Sequence, residues 1–331
     1  MPRLYVYDTS RTKTTNFTIA FARGVIRYNN SVNGAWQVKH MQIEHYKQNG
    51  LPSDILPGVD AVATLGILRG TGKMLKEAKQ KGIDYYYMDH AYFSPGYGGK
   101  GWMRISKNSH TCISLRDVSK DRWNGFHKNY GYQCKKWQDN SQRGENILIL
   151  PPTGAVSWFM EQGPDDWLDE VIAKLKQYLP IDEHYRIVVR RKPNEPVVDG
   201  DGNLLELKTY ESSANDQPLE QALLNAQCVI AYNSMVALEA TLLGIPVITS
   251  EQSCCVRVSY DIDIFKNAIK PEEFNTEPIN RKPLLYWLAY NQYKKREIED
   301  GSAWKMLQEN HNGETLIRQS KEKTNEVGRT T

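Results

Sequence analysis

The stretch CVIAYNSMVALEATLLGIPVIT, residues 228–249, decides the fold. CVIAY is a short apolar run of the kind that fills a strand buried on both faces. Asn233 and Ser234 follow, residue types whose side chains accept amide protons at a helix start. MVALEATLLG has the length of a short helix and ends at Gly244, the residue that best tolerates a left-handed helix terminus. IPVIT then reads as a second buried strand. A strand, a helix and another strand in immediate succession describe a parallel pair joined by a right-handed crossover.

Working outward, the same alternation recurs on both sides. ILIL (147–150) reads as a strand, DDWLDEVIAKLKQYL (165–179) as a helix, YRIVVRRKP (185–193) as a strand and QPLEQALLNAQ (217–227) as a helix. Towards the amino terminus come strands at LYVYD (4–8), WQVKHMQI (36–43), VDAVATLGIL (59–68) and IDYYYMDHAYF (83–93). Helices fall between them at 16–29 and 73–82. The region 100–143 is less regular. A chain of 331 residues suits two domains of ~150 residues each. The expectation is therefore α/β, with two Rossmann-like, doubly wound domains facing a cleft. The first covers 1–140; the second covers 141–331 and includes carboxy-terminal helices. The polar run QDNSQRGEN (138–146) marks a hinge between them, and the tail beyond about 310 is polar.

Hydrophobic residues make up 40% of the chain and charged residues 24%, a globular balance. No apolar run approaches the ~20 residues of a membrane helix, and the opening MPRLYVYDTS lacks a long apolar leader. Five cysteines without paired CxxC spacing argue against a disulfide framework or structural zinc. A cytoplasmic monomer is the expectation. The net charge of +3 hides an asymmetry. Residues 1–145 hold 22 Lys and Arg against 11 Asp and Glu, a net of +11, and the remainder is −8. The first half is suited to an anionic partner.

In an open parallel sheet, ligands bind where strands end and helices begin. Asn233 and Ser234 stand at such a place, where amides and the helix dipole favour phosphate. Glu239, five residues on, suits a ribose hydroxyl pair; alone it would read as a helix-edge glutamate. Glu239-Ala240 followed by Gly244-Ile245-Pro246-Val247 resembles the EA…G.PV signature of GT-B glycosyltransferases. That resemblance implies a nucleotide-sugar donor, with UDP-glucose expected and no permanently bound cofactor. Glu239 would then hold the ribose and Asn233 and Ser234 the phosphates. The stretch NSMVALEA lacks the first glutamate of the common two-glutamate form. Arg190 and Lys192 at a strand end suit a diphosphate, with Arg191 on the opposite face by alternation. Thr153 and Gly154 in PPTGAVSW complete the expected donor set.

The acceptor side falls in the first half. A glycosyl transfer needs a group to take the acceptor hydroxyl's proton. Asp89 and His90 end an apolar strand, on opposite faces by alternation, and Asp89 is the favoured base, with Asp8 its rival. From 100 to 143 ten basic residues face three acids, interleaved with aromatics, and Trp123 reads as core. Tyr97, Lys100, Trp102, Arg104 and Lys107 are the expected acceptor contacts, a composition suited to nucleic acid. DH.YF, R.S.N and DRW also resemble phage-encoded DNA glycosyltransferases, which implies double-stranded DNA carrying 5-hydroxymethylpyrimidine as the acceptor. The alternatives are a transferase of cell-surface or capsular saccharide and a non-catalytic nucleic-acid-binding protein. No metal ligand set is expected: DGDGN (199–203) fails the calcium-loop pattern, YDIDIF gives only a DxD lookalike, and GTGK (70–73) is too short for a P-loop. GYGG (96–99) reads as a loop, a possible lid over the acceptor.

Overall fold

The computed structural model describes residues 1–34, 36–51, 58–93, 101–179, 186–192, 198, 203–208, 213, 215–267, 269–274, 277 and 279–312. Within these, two sheets account for the two halves. The first contains β1 (Arg3–Asp8), β2 (Gln37–Gln42), β3 (Ala61–Leu65), β4 (Asp84–His90), β5 (Trp102–Lys107) and β10 (Gln292–Lys294), in the order β10-β5-β4-β3-β1-β2. β1 to β4 are parallel; β5 runs antiparallel to β4, and β10, antiparallel to β5, returns to the direction of β4. The second contains β6 (Asn146–Leu150), β7 (Arg186–Val189), β8 (Ala226–Ala231) and β9 (Val247–Thr249), all parallel, in the order β7-β6-β8-β9. The expected two-sheet α/β class is what the chain adopts.

Alternation along β1 shows how the first sheet is buried. Leu4 and Val6 point to one apolar layer, where α1 (Thr12–Val32), α10 (Lys295–Asp300) and α11 (Ser302–Asn312) contribute Phe17, Phe21, Ile298 and Trp304. Tyr5 and Tyr7 point to the other, filled by α2 (Ile43–Asn49) and α3 (Thr71–Gln80). That second layer also takes in Ala155, Val156 and Phe159 of α5 (Gly154–Phe159), so the two halves touch there. A further apolar cluster joins α4 (Asp121–Tyr130) to α9 (Lys282–Tyr290) and to α8 (Val236–Leu243) on one face of the second sheet. The other face is covered by α6 (Asp166–Tyr178), while α7 (Leu219–Leu224) leads into β8.

Two differences from the expected organisation concern the carboxy-terminal segment and the region 100–143. β10 pairs with β5, Gln292 opposite Arg104, so residues 292–312 belong to the first sheet and not to the second half. The irregular region 100–143 holds an antiparallel strand and a helix, packed through Trp102, Trp123 and Phe126. Gly244 closes α8 at φ 82°, and a side chain there would lie 2.0 Å from the Lys136 carbonyl, so glycine lets the linker pass against the helix end. Pro246, lacking an N–H, gives its carbonyl to Val229.

Candidate active site

Each sheet reverses direction of growth once: between β1 and β3 in the first, and between β6 and β8 in the second. Crevices open at such switch points, beyond the carboxyl ends of the strands. Here both crevices meet in one cleft of about 1410 Å³. The first half lines it with Thr9, Arg11, Lys13 and Thr14 after β1, residues 65–69 at the end of β3, and Asp89 to Tyr92 at the end of β4. The second lines it with Leu150, Pro151 and Thr153 at the end of β6, Arg190 to Lys192 after β7, and Asn233 to Val236, Leu238 and Glu239 after β8. Of the described residues lining it, seven are Arg or Lys and two, Asp89 and Glu239, are acids.

On the second-half wall, Ser234 Oγ accepts from the Val236 amide at 3.2 Å, setting the start of α8. Glu239 lies in the first turn and is exposed to the cleft, yet the surrounding walls desolvate it enough to raise its carboxyl pKa. Thr153 caps α5, its Oγ1 accepting from Val156 at 3.2 Å. Gly154 is buried under Leu205 and does not line the cleft. Arg190 donates to the Gln217 carbonyl at 2.7 Å, and Arg191 pairs with Asp165. All three basic residues 190–192 border the cleft, because β7 ends at Val189 and strand alternation ends with it.

On the first-half wall, Asp89 and Arg104 are register partners across β4 and β5 and form an ion pair at 2.9 Å. Tyr87 donates its hydroxyl to the same carboxylate at 2.7 Å, and the His90 amide donates to the other oxygen at 2.8 Å. Burial alone would raise the Asp89 pKa; Arg104, the nearby histidines and the tyrosine outweigh it and leave it at about 2. His90, at the cleft rim, is held at about 4 by desolvation, helped by Lys13, Arg104 and Lys192 against Asp89. His110 is buried behind it, stacked on Tyr87 with ring centres 4.8 Å apart, its Nε2 3.2 Å from the Tyr87 hydroxyl. Its Nδ1 reaches Asn233 of the second half at 3.4 Å, and desolvation with Arg104 also lowers it to about 4.

Several expected contacts lie elsewhere. Arg104 borders the cleft but is buried in its pair with Asp89, with its guanidinium committed to that carboxylate and to the His90 carbonyl. Trp102 is core, 4.7 Å from the Phe126 ring and donating to the Tyr130 hydroxyl, so it cannot stack on a base. Lys107 pairs with Asp84 at 2.6 Å at the amino-terminal edge of the sheet, away from the cleft, because β5 runs antiparallel. Asp8 does not line the cleft; its carboxylate accepts from the Ser10 amide and Gln42 and pairs with His40. Tyr97, Lys100, the GYGG loop and most of DGDGN lie outside the described residues. Asp89 and His90, expected on opposite faces, both border the cleft because they end their strand where it opens. Lys13, Arg69 and His110 also border it, and no sequence motif marks them.

No protein-family model and no curated protein matches this chain. Among solved structures, it is similar to the β-Kdo 2,4 transferase of Thermosulfurimonas dismutans KpsC, with TM-score 0.46 and 13% identity over 89% of this chain and 92% of that one. The β-Kdo 2,7 transferase of the same protein gives 0.44 and 12%, over 92% and 99%. Escherichia coli heptosyltransferase WaaC with ADP-2-deoxy-2-fluoro heptose gives 0.22 and 14%, over 75% and 88%. Likeness at this level leaves the chain's chemistry to its own side chains. No helix among the described residues is long and apolar enough to cross a membrane.

Proposed function

We propose that the chain is a glycosyltransferase that moves a sugar from a nucleotide-sugar donor to a hydroxyl on DNA, a 5-hydroxymethylpyrimidine being the acceptor. The observation that supports it is the meeting of both switch points in one cationic cleft, with Glu239 and the start of α8 on one wall and His90 on the other. Glu239 accepts the donor ribose hydroxyls, Arg190 and Lys192 face the diphosphate, and Asn233 and Ser234 present the helix start to it. The acceptor oxygen attacks the anomeric carbon while the bond from that carbon to the diphosphate breaks, and the nucleoside diphosphate leaves. His90, neutral at pH 7, takes the acceptor's proton. Asp89, tied to Arg104, orients the His90 turn and steadies the imidazolium that results.

The +11 charge of residues 1–145 supports a polyanionic acceptor. A saccharide hydroxyl is the second reading, favoured by the burial of Trp102 and the pairing of Lys107 with Asp84, which take two expected nucleic-acid contacts away from the cleft. The test is mass spectrometry of hydroxymethylcytosine DNA, and of an acidic oligosaccharide, after incubation with a panel of nucleotide sugars. Added hexose on the DNA supports the first reading, and on the saccharide the second. Glu239→Ala should weaken donor binding by roughly 1–3 kcal/mol, the cost of an unmet charged hydrogen bond; unchanged affinity by calorimetry would remove the ribose assignment.

A further inference from the structure

The hydrogen bonds around His110 fix which way each group points. Asp89, held at about 2 beside Arg104, is ionised at neutral pH and can only accept. The Tyr87 hydroxyl, 2.7 Å from Asp89 Oδ2, therefore gives its one proton to that carboxylate. His110 Nε2 lies 3.2 Å from the same hydroxyl oxygen and can meet it only as a donor. The buried His110 ring, lowered to about 4, is neutral at pH 7 and carries a single proton, which these bonds assign to Nε2. Nδ1 keeps a lone pair. Asn233 of the second half, 3.4 Å away, must face that lone pair with its amide nitrogen.

A carboxamide is planar, so fixing Nδ2 against the ring turns Oδ1 away from it. Asn233 lines the cleft, and its Oδ1 accepts from no group among the described residues. Asn233 and Met235 both belong to the turn between β8 and α8. Arg104 reaches the Met235 sulfur at 3.6 Å, so this turn is tied to the Asp89 group twice. The carbonyl is thus held between the start of α8 and the strand end that carries Asp89 and His90. In the transferase reading, that is where the sugar lies between its leaving diphosphate and the base.

We infer that Asn233 is a specificity-determining residue whose Oδ1 accepts a hydroxyl proton of the transferred sugar, and that His110 is the positioning residue that holds it in that orientation. This rests on the transferase reading of the cleft and adds what the sugar must offer at this point, an O–H donor. A sugar lacking that hydroxyl would leave a desolvated carbonyl unmet, the arrangement that discriminates most sharply between close analogues.

The test titrates the intact chain by calorimetry with UDP-, ADP-, GDP- and TDP-glucose and with the four nucleoside diphosphates. Asn233→Ala should weaken the glucose nucleotide that the wild type binds by about fivefold to tenfold and leave its diphosphate unchanged. An equal loss for both would place Asn233 on the phosphates and overturn the hydroxyl contact. The mono-deoxy forms of that glucose nucleotide close a second cycle. One of them should bind wild type and Asn233→Ala alike; sensitivity retained by every form overturns the contact. His110→Phe keeps a ring against Tyr87 and removes both nitrogens. His110→Gln, whose amide reaches the Tyr87 end and not Asn233, replaces it should the first lack a cooperative thermal transition. Either should weaken the glucose nucleotide by about threefold or more on its own and add nothing to Asn233→Ala. Additive losses would make His110 merely structural and overturn its positioning role. Binding of none of the four glucose nucleotides by the wild type overturns the transferase reading instead.

Discussion

The carboxylate of Asp89 shows how an ion pair changes what a residue can do. A group at about 2, held by Arg104, Tyr87 and a backbone amide, is a poor proton acceptor at neutral pH. His90→Gln should therefore lower transfer by about 100-fold or more while leaving donor affinity intact, as steady-state kinetics beside calorimetry would show. Asp89→Asn should instead cost stability, about 3 kcal/mol, because Arg104 would keep a buried charge without its partner. A variant with the wild-type urea midpoint and no transfer would return the base to Asp89. His110 makes a separate claim. Its folded pKa of about 4 lies below the ordinary 6.5, so the unfolded chain binds the proton more readily. The neutral buried ring costs nothing above pH 6.5; as pH falls from 6.5 to 4 only the unfolded chain takes up the proton, and stability drops by up to about 3 kcal/mol, a loss complete near pH 4. His110→Gln should reduce the fall of the urea midpoint between pH 6.5 and 4 without abolishing it, because His90 titrates in the same window; Asp89 acts only in the lower window towards pH 2. Sequence could place Asp89 and His90 at a strand end, since that follows from an apolar run. It could not show Arg104 turned inwards, because the register that sets Arg104 opposite Asp89 depends on the antiparallel course of β5.

Among the elements, those built from local pattern were legible and those fixed by distant pairing were not. β1, β6, β8, α6 and α8 follow apolar runs with caps and breakers beside them. β10 is QYK, three residues whose strand character comes entirely from β5. Of the cleft cations, Lys13 lies in the opening turn of α1 and Arg69 in the turn before α3, places where no periodicity distinguishes a site residue from a solvated one. The packing of α1 on α10 supplies a test at this scale. A methyl at Gly24 would lie 1.9 Å from the Ile298 carbonyl, backbone that cannot swing aside. Gly24→Ala should cost about 3 kcal/mol in urea unfolding, although alanine is the better helix former, because overpacking separates the two helices. A neutral or stabilising outcome would mean that the helices cross further apart.

For the molecule as a whole, the return of residues 292–312 to the first sheet makes the amino-terminal half incomplete by itself. Trp304, Ile298, Tyr293 and Leu307 are fully buried against it. A fragment of residues 1–140 should expose that apolar surface and aggregate. Supplying 291–312 in fusion should restore a cooperative thermal transition by circular dichroism. A soluble, cooperatively folding 1–140 fragment would show the carboxy-terminal layer to be dispensable.

The same return means that the chain passes between the halves twice, once near 131–146 and once where α9 gives way to β10. A body tethered at one point can swing and swivel in any direction, whereas one pinned at two points keeps a single axis of rotation, the line through the pins. Any closing of the cleft is then a door's motion and not a ball joint's. Its path is the same on every cycle, so Glu239 and His90 can approach along only one arc, and a cross-link at either pin would leave that arc in place while one across the cleft mouth would stop it.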